Sequence, residues 1–535
     1  MFRRHLMLVI AIAFIIIAQG CSSTNDPGTG GSGTGMVSVS LTDAPAYGFD
    51  HVWITVKDIW FHTSETAETE QAGWVKFPLS SPITLDLLNL SNGTISVPVW
   101  DNIELPEGDY TQIRVFLSRT EASLTASASA EGLTFNNEVD VTNDAAAYAL
   151  RIPDALRGIR LTGAFQVKKN GKLKLAIDFD AGHDVVKIEH DAATEYILKP
   201  RLAYFDLDNA GAVVGSIDTA ATGSNAAAQF VFKAEQPGPD NNVHIVRRAT
   251  GVMDQNGRFI LYPLKPGIYD IVMRGNNYET VIVKNVPVTQ GTTPTVNPTI
   301  LPKITMTPAS TIDHAVTGSI TSPTGAWAVF LQTLPGAGEV PYEIRFRHFN
   351  PLTGQFGAFP LSSDPIRVGA YDASSIALNS VSPVEGNGGY KAVAAAVLYD
   401  HSAFVSVSSA TGTVSFGSLT VAAPATGRSV TGSILLPETF APGTGFDRGV
   451  LFASHGGMIV NAIRVDSQMA SGGTYTMQNL PGGTSMLPLP GAFYGIEAMG
   501  WSFASPATRT IAVPQAVDLR SNDANGIDLN MVMMP

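Results

Sequence analysis

From Met36 onward, apolar residues recur at every second position in short runs that stop at Gly, Pro, Asn or Asp, and this pattern restricts the fold more than any other feature. Side chains alternate between the two faces of a strand, so a period of two describes a sheet with one face buried. Met36-Val37-Ser38-Val39-Ser40-Leu41 alternates in this way, and His51 to Val56 follows after the Asp43-Ala44-Pro45 turn. Further strands are expected at Gly73 to Phe77, Tyr110 to Ser118, Ile159 to Lys168, Lys172 to Phe179 and Glu195 to Tyr204. Only Ile83 to Leu90 has the spacing of a short helix or helical turn. With 51 Gly, 33 Pro and 15% charged residues in 535, the composition favours short strands and many turns over long helices. Residues 36–206 therefore read as one β-rich head domain, a sandwich, in an all-β chain.

Cys21 is the only cysteine, so no disulfide within the chain helps to hold it and its cores must suffice. It follows Arg3 and Arg4, an apolar run from Leu6 to Ala18, and Gln19-Gly20, the order of a secretory signal. The apolar run is short for a membrane span of ~20 residues. The segment resembles a bacterial lipoprotein signal, which implies acylation of Cys21 and removal of residues 1–20. Gly20 fits that pattern, while Ala18 and Gln19 depart from it; the alternatives are an uncleaved anchor and a secreted protein with a lone thiol. Residues 21–35 then form a Gly/Ser-rich tether, long enough to hold the folded part roughly 20 Å from a membrane. Ser22 resembles the residues that permit transfer to the outer membrane, so the expected location is the cell envelope, at the outer membrane.

Val39 to Pro45, His51 to Ile59, Asp86-Leu87-Leu88, Leu105 to Arg114, Leu175 to Asp180 and Tyr196 to Pro200 together resemble an uncharacterised bacterial lipoprotein domain family. The resemblance spans residues 36–206 and implies no catalytic residues. Beyond Asp208, Val214-Gly215-Ser216-Ile217, Thr317-Gly318-Ser319-Ile320 and Thr431-Gly432-Ser433-Ile434 open three modules, expected at 213–301, 315–421 and 429–535. Gly257 to Ile271 and Gly473 to Gly483 each read as strand, Pro-Gly turn and strand. They resemble the prealbumin-like β-sandwich modules found beside metallocarboxypeptidases, which implies tandem β-sandwiches acting as spacers. The middle module has Gly388-Gly389-Tyr390 without a Pro-Gly turn after it.

A formal charge of −13, deepened when a leader carrying Arg3 and Arg4 and no acid is removed, argues against nucleic acid as a partner. No H-E-x-x-H, C-x-x-C or phosphate-loop spacing occurs, and Ser454-His455-Gly456-Gly457 lacks the G-x-S-x-G elbow of a hydrolase. Asp178, Asp180 and Asp184 form the best polar cluster: three carboxylates on one strand and its turn are the hard oxygen ligands that Ca²⁺ prefers, although the loop lacks the glycine and distal Glu of a Ca²⁺-binding helix-loop-helix and a solvated hairpin whose acids satisfy turn amides explains them better. Trp53, Trp60, Trp74 and Trp100 crowd into the head; aligned on an exposed face they would stack on sugars, and buried they would be core. Trp53 has the parity of the buried face.

The expectation is thus a lipid-anchored, tandem β-sandwich envelope protein that binds or displays, with a membrane contact through its lipid and a polysaccharide or envelope protein as partner. No cofactor is expected, with Ca²⁺ the one candidate. The alternatives are an envelope hydrolase or sugar-processing accessory factor, and a Ca²⁺-dependent adhesive protein.

Overall fold

The computed structural model describes residues 33–533 except 154, 191–192, 219–228, 240–241, 255, 310–313, 362–364, 386–388, 408–411, 438–445, 466–472, 484–491, 503–507 and 513. Cys21, the leader and residues 21–32 of the tether lie outside the described residues.

The head is a sandwich of a four-stranded and an eight-stranded sheet. Thr34–Asp43 runs centrally in the smaller sheet, antiparallel to Trp100–Pro106 and parallel to Lys172–Phe179. Phe49–His62 is the axis of the larger sheet, pairing with Val75–Asp86, Gly108–Leu117 and Glu138–Val141. The inward residues of both sheets, among them Val37, Val39, Leu41, Val52, Ile54, Val56, Ile59 and Phe61, are fully buried in one core. The stretch with helical spacing divides: Ile83 to Asp86 completes a strand, and only Leu87–Leu90 coils, as a 3-10 turn capped by the Asp86 carboxylate on Leu88 N–H at 3.1 Å. The strand expected from Glu195 to Tyr204 is two, Ala193–Leu198 in the larger sheet and Ala203–Asp206 in the smaller. The break contains Pro200, which has no N–H for a ladder.

All three repeat units share one design. The opening strands Gly211–Ser216, His314–Ser319 and Thr426–Leu435 each pair antiparallel with a strand of their own unit and parallel with its last one. The repeated glycine has a steric cause: Gly215 faces Phe259, Gly318 faces Phe356 and Gly432 faces Tyr475 across the pair. A Cβ at the first two would run into the facing ring, and at Gly432 into the Ile527 carbonyl. The first Pro-Gly turn is a corner and not a hairpin, because Arg258–Leu264 and Gly267–Arg274 lie in different sheets, and the second expected turn is none, because the strand Thr474–Gly482 runs through Pro481 and Gly482, paired with Gly427 and Thr426. The head turns the same kind of corner at Leu105-Pro106-Glu107-Gly108. In each, a buried tyrosine hydroxyl donates to the carbonyl four residues back, Tyr110 to Pro106 at 3.0 Å and Tyr269 to Lys265 at 2.7 Å.

The units do not extend away from the head as spacers; they fold back on it and on each other. Ile366–Ala370, which lies in sequence within the middle repeat, pairs parallel with Val281–Val288 of the first, and together with its antiparallel neighbour Asn379–Val381 it lengthens that sheet from four strands to six. The cores of the middle and last repeats run together in one cluster. Ile188 and Ile197 from the head's larger sheet pack with Leu352, Phe452, Met499 and Trp501, and Arg151 pairs with Glu497 at 2.9 Å. Arg160 N–H donates to the Gly456 carbonyl at 2.9 Å.

Candidate functional site

Where the head meets the first and middle repeats, a cleft of about 410 Å³ opens, within the usual range for ligand sites. One wall is the edge strand His244–Thr250, contributing Ile245, Val246, Arg247, Arg248 and Ala249. The facing wall comes from Trp327–Gln332 and Tyr390–Ala395, which present Trp327, Val329, Val393 and Ala395. At its base the head supplies Asp178, Asp180, His183, Arg201 and Ala203.

Each element is held in place by buried polar contacts. Asp178 is the penultimate residue of the strand Lys172–Phe179, opposite Thr42 in register. Arg248, its side chain 1% exposed, reaches in from the first repeat to ion-pair with Asp178 and to donate to Thr42 Oγ1 at 2.9 Å and the Asp43 carbonyl at 2.7 Å. Asp43 accepts from Ala181 N–H at 2.9 Å and so fixes the loop after Asp178. Burial pushes the Asp43 carboxyl well above the ordinary range, and its second oxygen has no hydrogen-bond partner. Gly182 is required because a Cβ there would stand 2.5 Å from the Pro45 carbonyl.

Asp178, Asp180 and Asp184 are thus close in sequence but committed separately. Burial pushes Asp178 up to about 6 in spite of Arg248. Asp180 caps the turn Ala181–Asp184 and pairs with His183 at 2.7 Å; burial works against its charge, but His183 outweighs burial and lowers its pKa. The same pairing, with help from Glu343 at 3.9 Å, raises His183 to about 9 against its own burial. Asp184 is fully buried, accepts from Arg201 N–H at 3.2 Å, and is raised by burial and by Asp180. Among the described residues no group of three or more His, Cys, Asp or Glu is placed to hold a metal ion.

Across the junction, Glu343 takes the Lys233 ammonium at 2.9 Å and is held below the usual carboxylate range by Lys233 and His183, which outweigh burial. Glu235, buried behind them, is raised to about 8, chiefly by desolvation. Lys199 donates to the Gly325 carbonyl, lies 4.7 Å from the Trp327 ring and is lowered to about 7 by burial and by Arg201. Arg201 lies 4.8 Å from the same ring.

The four tryptophans of the head do not form one platform. Trp100 is 3% exposed and donates to the Phe77 carbonyl, so it is core. Trp53, expected on the buried face, lies opposite Val52 and Ile54, half-buried, stacked on His51 and donating to Asp140 at 3.2 Å. A bulge between Val56 and Asp58 brings Trp60 to the outer face. There it lies 5.7 Å from Trp74, with the Lys76 ammonium 3.6 Å above its ring. Ser454 and His455 are not a nucleophile and base: Ser454 Oγ donates to the Gly495 carbonyl at 3.3 Å, and His455 bonds to Phe493 and to Arg160. Burial and Arg160 lower His455 to about 3.

Nothing in the sequence pointed to the cleft as a unit. Arg247, Arg248, Trp327 and Glu343 carry no motif, and their one signal was indirect: Thr42, Asp43 and Lys199, which they meet, belong to landmarks of the head.

The fold and cleft define a multi-sandwich protein built around a junction. Residues 34–200 match the family described as Domain of unknown function (DUF4382), which agrees with the resemblance drawn for the head to an uncharacterised domain. No curated protein matches the chain. Among solved structures, the Bacillus anthracis TIE protein is 8% identical, with 96% of this chain and 76% of that chain covered and a TM-score of 0.14. Two B repeat units of the Staphylococcus aureus collagen-binding protein are 9% identical, with 94% and 98% covered and a TM-score of 0.14. The full-length major pilin SpaD from Corynebacterium diphtheriae is 9% identical, with 62% and 99% covered and a TM-score of 0.14. Scores of this size carry no weight for fold or function. Among the described residues, no helix is long and apolar enough to cross a membrane.

Proposed function

We propose that this chain is a binding protein of the cell envelope, anchored at the outer membrane through lipidated Cys21, that retains a polysaccharide or an envelope protein and performs no chemistry of its own. The observation that carries the reading is the cleft shared by three units, in which each lining carboxylate already faces a cation: Asp178 with Arg248, Asp180 with His183, Glu343 with Lys233. A general base or nucleophile needs a free group aimed at open space, whereas these acids hold the walls together. The apolar face of Trp327, Val329 and Val393 supplies contact area for a ligand.

The test is retention without turnover. Purified full-length protein is expected to retain a polymeric envelope ligand and to leave esters, glycosides and peptides intact. Turnover that disappears on replacing an acid or histidine would overturn the reading in favour of a hydrolase. A Ca²⁺-dependent adhesive would require Asp178, Asp180 and Asp184 to leave their present partners; millimolar Ca²⁺ would then raise the melting temperature, and Asp180→Ala would abolish the rise. If truncation of Trp60 or Trp74 weakens retention, the ligand lies on the outer face of the head. Cys21→Ser is expected to release the protein from membranes, and a variant that stays membrane-bound after a high-salt wash would contradict the anchor.

A further inference from the structure

We infer that the three-unit cleft selects an acidic saccharide, a uronate-type unit whose carboxylate is taken by Arg201 and Arg247 while its apolar ring face lies on the Trp327 wall. The inference rests on the reading of the chain as a binding protein and adds the class of ligand. Three carboxylates line the cleft, Asp178, Asp180 and Glu343, and each is paired with a base. Arg201 and Arg247 remain, with the exposed His401 also in the lining: both arginines are exposed, and neither takes part in an ion pair among the described residues. His244 adds no positive charge, because burial lowers its pKa. Asp184, which accepts from Arg201 N–H, is raised by burial and by Asp180, and Asp180, which also feels the Arg201 charge, is already paired with His183. A chain of net charge −13 therefore carries a local positive surplus in this cleft, and guanidinium groups bind carboxylates through paired N–H donors.

The walls describe the rest of the ligand. Trp327 is half-buried and lines the cleft with Val243, Val329 and Val393, an apolar lining bordered by Arg201 and faced by Arg247 on the strand His244–Thr250. A pyranose carries one face of C–H groups that packs on such a ring while its acid stays in plane to meet the guanidinium. The volume of about 410 Å³ suits a short stretch of saccharide and is too small for a folded partner. Lys199, tied to the Gly325 carbonyl, lies 4.7 Å from the indole, and Arg201 lies 4.8 Å from it.

Calorimetric titration of the full-length protein with tri-galacturonate, neutral tri-galactose and poly-glutamate tests the inference. Tri-galacturonate is expected to bind, to weaken by about tenfold or more between 50 and 500 mM salt, and to weaken by about tenfold or more in Arg247→Gln and further with Arg201→Gln. Both arginines are exposed, so melting temperatures should hold and report that the fold is intact. Ala203→Trp, which fills the cleft from an exposed position, should abolish binding. Equal binding of the neutral trisaccharide, or full affinity in the double arginine variant, would overturn acid selection and leave the binding reading standing. Binding of poly-glutamate without tri-galacturonate would overturn the saccharide. Retention of no envelope polymer at all would remove both this inference and the reading beneath it.

Discussion

Arg248 donates through one terminal nitrogen to Asp178 and through the other to Thr42 and the Asp43 carbonyl, so a buried side chain of the first repeat satisfies acceptors of the head. Removing it leaves Asp178 buried without a counter-charge. Arg248→Met is expected to destabilise the protein by about 3–5 kcal/mol in urea, and adding Asp178→Asn should restore part of the loss, because the penalty comes from the abandoned charge. His183 makes a pH-dependent contribution. Its folded pKa of about 9 stands above the unfolded value of ~6.5, so the native state binds the extra proton; this stability is fully present below ~6.5 and is lost as pH rises through 9. His183 is faced by Asp180 and Glu343, with His348 Nε2–H donating to its carbonyl. The melting deficit of His183→Gln relative to the parent protein should therefore shrink between pH 6.5 and pH 9. A constant deficit would mean the imidazole serves only as packing. At this scale the sequence was partly legible: it singled out the acids at Asp178, Asp180 and Asp184, and the partner of Asp180, His183, lies three residues on, but Asp178 meets Arg248 70 residues away and Asp184 accepts from Arg201 N–H 17 residues away, and no local pattern records those two.

Period-two runs located most strands because burial of one face enforces alternation, and the breaks came where chemistry interrupts the ladder, at Pro200 and at the bulge after Val56. Trp53 shows the limit of parity. The alternation is correct, yet which of two faces is covered depends on whether Val52 and Ile54 or Trp53 and Thr55 meet the other sheet. Corners and hairpins share the same Pro-Gly chemistry, so the turn after Leu264 revealed a reversal without revealing that the chain changes sheet. The repeated glycine was visible as a motif, and its cause became visible only with the facing ring. Gly318→Ala should cost about 1–3 kcal/mol, since the new methyl must displace Phe356. Gly357→Ala in the neighbouring strand, with open space at its Cβ, is the control and should change stability by less than about 1 kcal/mol. Equal effects at both sites in chemical denaturation would show that ring packing is not what the motif protects.

The assembly of the units was the least legible level. A head followed by tandem sandwiches read as spacers suggests a string, whereas Ile188 and Ile197 of the head share a buried cluster with Phe452, Met499 and Trp501 of the last repeat, and Trp501 Nε1 donates to Glu195 at 3.2 Å. Residues on the outer faces of single sandwiches become core only once the units meet, and nothing in one segment states which other segment it will cover. The folded-back arrangement predicts a radius of gyration of about 24 Å in solution scattering for a compact body of ~500 residues; a clearly larger value would indicate separated modules. The arrangement also carries the functional claim, because the cleft exists only where the head and two repeats meet. Hydrogen exchange of the full-length protein, with and without the retained envelope polymer, tests that claim most directly. The account predicts new protection confined to His244–Thr250, Trp327–Gln332 and Tyr390–Ala395 together with Asp178 to Arg201 of the head. Protection that instead falls on the Trp60 and Trp74 face, with those three strands unchanged, would contradict it.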